Sequence, residues 1–240
     1  MLGMPRRLWI PIVAVAALAL LGSAGAYIYF FSGLRTSPPS LALASPGASP
    51  ATDASANAGT WQIATGSVVG YRVKEQFVGQ TSSHEAVART GDVTGQVTIA
   101  QTGSSYQMTS AQITVQLSGL ASVDSVAGYN VTNRDRIVQR SLDVSSFPTA
   151  VFEAQSVTLP AGAETGQTVT VSAPGKLTIH GVTKDVTATL QLRVSGGTAQ
   201  IAGSIVTNMT DYGISPPSVG FTTVQPAVTL EFQLSLTQTA

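Results

Sequence analysis

The 240-residue chain contains no cysteine. That excludes a disulfide scaffold, a thiolate nucleophile and any cysteine-ligated zinc or iron–sulfur site. Its two histidines leave little room for an all-histidine metal centre. Charge is scarce as well. Only 10% of the residues are charged, where soluble domains carry about 25%. The 12 Lys+Arg balance the 12 Asp+Glu, so there is no basic excess with which to hold nucleic acid phosphates. No G-x-S-x-G, G-x-G-x-x-G or Walker A sequence occurs, which removes the signatures of a nucleophile elbow and of nucleotide binding. The expectation is no catalytic residue, no cofactor and no metal. What the chain does have is hydrophobicity, 43% of residues, and it is unevenly spread.

The first concentration is Leu8–Phe31, 24 residues without a charge. As a helix it would run roughly 36 Å, enough for a hydrocarbon core of roughly 30 Å. Arg6 and Arg7 precede it and only Arg35 follows closely, an asymmetry that places residues 1–7 in the cytoplasm and the remainder outside. The alternative is a signal peptide cleaved after Ala24-Gly25-Ala26. The apolar run continues past that point through Phe31 and exceeds the usual signal core of roughly 7–15 residues, which favours an uncleaved signal anchor. Residues 32–59 are rich in Ser, Pro and Ala, with too few large apolar groups to offset ordering entropy. They read as a disordered tether.

Residues 60–240 read as one β domain. Val228, Leu230, Phe232, Leu234 and Leu236 alternate with polar residues. So do Val186, Ala188, Leu190, Leu192 and Val194, and period two marks strands with one apolar face. About eight strands are predicted: roughly 62–75, 86–101, 105–118, 149–159, 167–180, 183–195, 198–209 and 225–237. His180-Gly181 and Gly196-Gly197 have the spacing of tight hairpins. One helix is predicted, about Thr132 to Arg140. Eight antiparallel strands can close into a barrel or stack as a sandwich, and periodicity leaves both open.

The stretch Gly175-Lys176-Leu177-Thr178-Ile179-His180-Gly181-Val182-Thr183-Lys184-Asp185-Val186 closely resembles a segment of the YceI-like family of polyisoprenoid-binding proteins. Trp61-Gln62-Ile63 with Tyr71-Arg72-Val73, Asn133-Arg134-Asp135 followed by Phe147-Pro148-Thr149-Ala150-Val151-Phe152, and Asp211-Tyr212-Gly213-Ile214 resemble further blocks in the family's order. Lys74-Glu75 stands where many members have a His-containing turn. The resemblance implies an all-β, eight-stranded, antiparallel, lipocalin-like barrel over residues 60–240. Its apolar interior would hold an isoprenoid or similar long-chain lipid. The whole chain is then expected to be this barrel, preceded by one transmembrane helix and a disordered linker, with lipid and membrane as partners and no nucleic acid.

On that implication the inward faces line a ligand. They are Tyr71 and Val73 on the first strand, Val97 and Ile99 on the second, Val115 and Leu117 on the third, and Phe152 on the fourth. Leu177 and Ile179 follow on the fifth, Leu190 and Leu192 on the sixth, and Leu230, Phe232 and Leu234 on the last. From the residues alone plain core is the favoured reading, and the resemblance brings ligand-lining level with it. Arg134 and Asp135 are expected to be structural, Asp135 complementing a helix start and Arg134 bridging a loop. His180 is expected exposed in its turn, and His84 solvated in a polar loop. Two further readings remain: an enzyme working on a lipid or quinone inside the barrel, and an envelope interaction module without a cavity.

Overall fold

The computed structural model describes residues 17–23, 35–43, 58–78, 83–126, 129–195, 197–220 and 222–239. Of the predicted membrane span Leu8–Phe31, only 17–23 fall within them. They form a helix with Leu18, Leu20 and Leu21 exposed. The rest of the span lies outside the described residues, and among the described residues no helix is long and apolar enough to cross a membrane.

In chain order the elements are β1 (Arg35–Thr36), β2 (Gly59–Ile63), β3 (Val68–Phe77), β4 (His84–Thr90), β5 (Val93–Thr102), β6 (Ser105–Gln116), β7 (Ala121–Ser122) and β8 (Ser125–Val126). Then come α1 (Thr132–Ser141), β9 (Thr149–Thr158), β10 (Val169–Ile179), β11 (Val182–Ser195), β12 (Thr198–Asn208), β13 (Ser218–Val219) and β14 (Thr222–Gln238). Residues 17–23 and the β1–β8 pair belong to one unit; Ser37–Asp124 with Val131 onward form the other.

The second unit is a closed antiparallel barrel. Its ring runs β14–β12–β11–β10–β9–β6–β5–β2 and returns to β14. β14 closes it because 17 residues are long enough to pair with β12 along one edge and with both β2 and β3 along the other. The eight expected strands are all present, but the first two are interrupted. The chain turns at residues 64–67 between β2 and β3, where the Ser67 hydroxyl donates to the Ala64 carbonyl at 2.8 Å and accepts from the Ser235 N–H at 3.0 Å. Gly91-Asp92 separates β4 from β5. The ring proper is therefore closed by β2 and β5, while β3 and β4 continue as a paired wing from the edge of β14.

Hairpin chemistry follows the sequence. Ile179 pairs with Val182, so His180 and Gly181 form a two-residue loop, both at positive φ (52° and 73°). Such turns match the twist of the flanking strands. α1 spans one residue more than expected, and Asp135 in its first turn accepts both the N–H and the hydroxyl of Ser122.

One expectation is corrected here. The described part of the Ser/Pro/Ala-rich stretch is not a free tether. Residues 37–43 run along the barrel, bonded to β3, β4 and β14. Its composition hides this because the bonds use its backbone and one serine hydroxyl, which hydropathy does not register.

Candidate functional site

Cross-strand register decides which side chains share the interior face. Leu190 lies opposite Gly203, Gly203 opposite Phe232, and Phe232 opposite Val69. Ile113 lies opposite Phe152, and Phe152 opposite Leu177. Two clusters result. One gathers around Trp61, Leu192, Leu234 and Leu236, with Val97, Ile99, Val115, Leu190 and Phe232 against it. The other gathers around Leu177, Ile179, Ile205 and Tyr212, with Phe152, Leu190, Leu230 and Phe232 against it. Leu190 and Phe232 belong to both, so the apolar interior is continuous.

Packing along this interior is uneven. Leu236 keeps 1% of its surface. Val97, Ile99, Ile113, Val115, Phe152, Leu190, Ile201, Leu230 and Phe232 face inward and yet are only half-buried. A core filled to the usual density would cover such side chains as fully as Leu236.

On the wing the interior face changes character. β3 presents Tyr71, Val73, Glu75 and Phe77 in alternation; opposite them on β4 stand Ala88, Ala86 and His84. Glu75 and His84 therefore point the same way as the apolar rows, and both are buried. They meet Asp124 and Arg134, also buried. Arg134 grips Glu75 with two bonds, Nε to Oε1 at 2.9 Å and Nη2 to Oε2 at 3.0 Å. Its Nη1 donates to Asp124 Oδ1 at 2.7 Å. His84 Nε2–H donates to Asp124 Oδ2 at 2.7 Å, and the Val87 N–H donates to Oδ1 at 3.1 Å.

Electrostatics follow from that geometry. Burial works against the Asp124 carboxylate, but the His84 hydrogen bond and the Arg134 charge outweigh it and hold the group below the usual carboxylate range. Burial pushes Glu75 up, against the attraction of Arg134. Burial also lifts the Tyr71 phenol well above its ordinary value, so it stays a neutral O–H donor. Tyr71 is half-buried and stands between the apolar rows and the tetrad. With two carboxylates, one guanidinium and a neutral imidazole, the tetrad carries one negative charge, which a proton on Glu75, the group that burial pushes up, would cancel.

Several expectations are corrected by this arrangement. His84 is not solvated; it is on a strand and 5% exposed. Arg134 does bond a loop residue, Asp124 between β7 and β8, but it does so buried, as the centre of the tetrad. His180 is half-buried, donates from Nδ1 to the Tyr212 carbonyl at 3.1 Å and meets Phe147 edge-on at 4.9 Å. Leu117 sits apart from the apolar rows, on a short 3₁₀ turn after β6, where its N–H donates to the Pro148 carbonyl at 2.9 Å. The other candidate lining residues share the interior face, Tyr71 and Val73 beside the tetrad. Among the described residues no three His, Asp or Glu side chains are placed to hold a metal ion.

Comparison with known proteins follows the same outline. Residues 61–236 match the model of the YceI-like domain. Among solved structures, a polyisoprenoid binding domain from Saccharophagus degradans implicated in plant cell wall breakdown is 15% identical with a TM-score of 0.55, over 76% of this chain and 100% of that one. BcnA of Burkholderia cenocepacia is 19% identical, TM-score 0.47, over 69% of this chain and 95% of that one. A Campylobacter jejuni YCEI protein is 14% identical, TM-score 0.44, over 64% and 85%. No curated protein matches.

Proposed function

The chain belongs to the YceI-like domain family, and from that premise we propose that it is a membrane-anchored, extracytoplasmic lipid carrier that holds a polyisoprenoid or similar long-chain lipid in its barrel. The observation that carries the reading is the row of inward apolar side chains left half-buried, from Val97 and Ile99 to Leu230 and Phe232. A prenyl tail laid along them recovers about 25 cal/mol for each Å² of apolar surface removed from water. The tetrad suits the polar end. Arg134 is already claimed by two carboxylates, so it offers no spare cation to a phosphate. The Tyr71 phenol offers a hydrogen bond to an uncharged oxygen. An alcohol or quinone head therefore fits this end better than a diphosphate. The polyisoprenoid binding of the Saccharophagus degradans domain supports the same ligand class, and the charge asymmetry around Leu8–Phe31 supports the anchor.

Native mass spectrometry of the full chain, released from membranes in mild detergent, tests the reading. The expected result is a bound prenyl lipid that organic solvent extracts intact. A barrel that is always empty and takes up no added prenyl lipid overturns it.

A second reading is favoured by one observation, the buried His84–Asp124 pair on the interior face. It is the arrangement a general base needs and would suit an isomerase or hydrolase acting on the bound lipid. Recovering an added prenyl quinone or prenyl ester chemically unchanged after prolonged incubation retains the carrier. A product formed by the native chain and lost in His84→Gln establishes the enzyme.

A further inference from the structure

The outer face of the wing is covered, although nothing in its composition asks for cover. Arg72 is 7% exposed and Glu231 is 3% exposed. Register places both on the side away from the apolar rows, Arg72 opposite Thr229 and Glu231 opposite Gly70. Arg72 Nε and Arg89 Nε donate to the two oxygens of Glu231 at 2.7 and 2.8 Å, and Arg72 Nη1 donates to Glu85 at 2.7 Å. This network leaves donors and an acceptor pointing outward, and residues 37–43 meet them. Arg72 Nη2 donates to the Pro38 carbonyl at 2.6 Å, and Arg89 Nη2 to the Pro39 carbonyl at 2.5 Å. The Leu41 N–H donates to Glu231 Oε2 at 3.1 Å, and the Ser37 hydroxyl to the Glu85 carbonyl at 2.5 Å.

The chemistry is that of peptide recognition. Consecutive prolines lack N–H groups and hold an extended backbone without internal hydrogen bonds, so their carbonyls are free acceptors. Two guanidinium groups supply donors at successive carbonyls. A carboxylate then takes the N–H of Leu41, two residues past the second proline. Charge-assisted bonds of this kind are the stronger class.

We propose that the outer face of β3–β4–β14 is a groove for an extended, proline-containing peptide and that its occupant is the chain's own residues 37–43, which makes the pre-barrel segment a clasp. Its consequence for placement rests on the anchored reading above. Measured from Phe31, the last residue of the expected span, six residues reach Ser37, at most about 20 Å of extended chain; a free tether to Gly59 would reach about 95 Å. On that reading the clasp shortens the free tether between span and barrel to these six residues.

The chain's lack of cysteine makes the test clean. Hydrogen exchange of the full chain in phosphatidylcholine nanodiscs is expected to show the Leu41 amide slowed at least about tenfold relative to a free peptide of residues 35–43. Exchange at the free-peptide rate overturns the clasp. A variant with residues 37–43 replaced by Gly/Ser of equal length leaves every sheet residue intact, and circular dichroism confirms its fold. With a donor dye on Val206→Cys, an exposed position on β12, energy transfer to acceptor lipids is expected to fall in that variant. A protected Leu41 with unchanged transfer overturns the short tether. A chain that stays out of the nanodisc while Leu41 remains protected overturns the anchored reading and the short tether, and upholds the clasp.

Discussion

Asp124 is the residue on which the tetrad turns, because it alone binds His84, Arg134 and a backbone N–H together. Removing its charge leaves Arg134 buried with one partner fewer. Asp124→Asn is expected to cost about 3–5 kcal/mol in denaturant unfolding at pH 7, as for other broken buried pairs. Glu75→Gln is expected to cost less, since burial already disfavours the Glu75 charge. Their pH dependence runs in opposite senses. The folded-state pKa of Asp124 is depressed, so its contribution is present above the unfolded value of about 3.9 and is lost as pH falls through the lower folded value. The folded-state pKa of Glu75 is raised, so its contribution is complete below about 4.3 and is lost as pH rises through the folded value. Unfolding curves from pH 7 down to about pH 1 check this: the gap between native chain and Asp124→Asn should hold to about pH 4 and close below it. Tyr71→Phe is expected to weaken binding of a prenyl alcohol or quinone about three- to tenfold, the worth of one hydrogen bond, and to leave a prenyl hydrocarbon unaffected in the same titration. The sequence held part of this site. Alternation through Tyr71, Val73, Glu75 and Phe77 puts Glu75 on the apolar face, and His84, Ala86 and Ala88 do the same for His84. What it did not hold was the meeting of β3 and β4 with Asp124 and Arg134, which depends on chain packing and on no local period.

At the scale of elements, turns were the most legible feature. The His180-Gly181 loop needs positive φ at both positions, and only Gly adopts it without cost. A Cβ on Gly181 would also lie 2.6 Å from the Phe147 ring. Gly181→Ala is therefore expected to lower stability by about 1–2 kcal/mol, read as a shift in the urea midpoint with an unchanged slope. The strand breaks at residues 64–67 and at Gly91-Asp92 were less legible. At the first, both flanks keep the same inward positions, and the break is set by the Ser67 hydroxyl bonding the backbone of β14. At the second, the inward positions shift phase, from His84, Ala86 and Ala88 on β4 to Val93, Val97 and Ile99 on β5. The clasp was invisible for a related reason. Its partners Arg72, Arg89 and Glu231 lie 34, 50 and 190 positions away along the chain, and a proline-rich composition describes equally a free tether and a bound peptide.

For the whole molecule, no disulfide contributes, and the barrel is held by ring closure and by burial. These draw on different parts of the interior. Leu236 lies where β14 meets β2 and β12 and is almost completely covered. Leu236→Ala is expected to cost about 2–5 kcal/mol, the usual penalty for a truncated core leucine. Leu230 faces inward next to Tyr71 but is half-buried. If surrounding atoms filled that region, Leu230→Trp would overpack it and cost about 1–3 kcal/mol. If the region is left for a lipid tail, the indole takes the space instead: thermal stability stays near that of the native chain, and the lipid bound in native mass spectra falls severalfold. Measured together, the melting temperature and the bound-lipid mass of Leu230→Trp separate a hollow interior from a filled one. A marked loss of stability with lipid binding intact would assign Leu230 to packed core and place the ligand elsewhere.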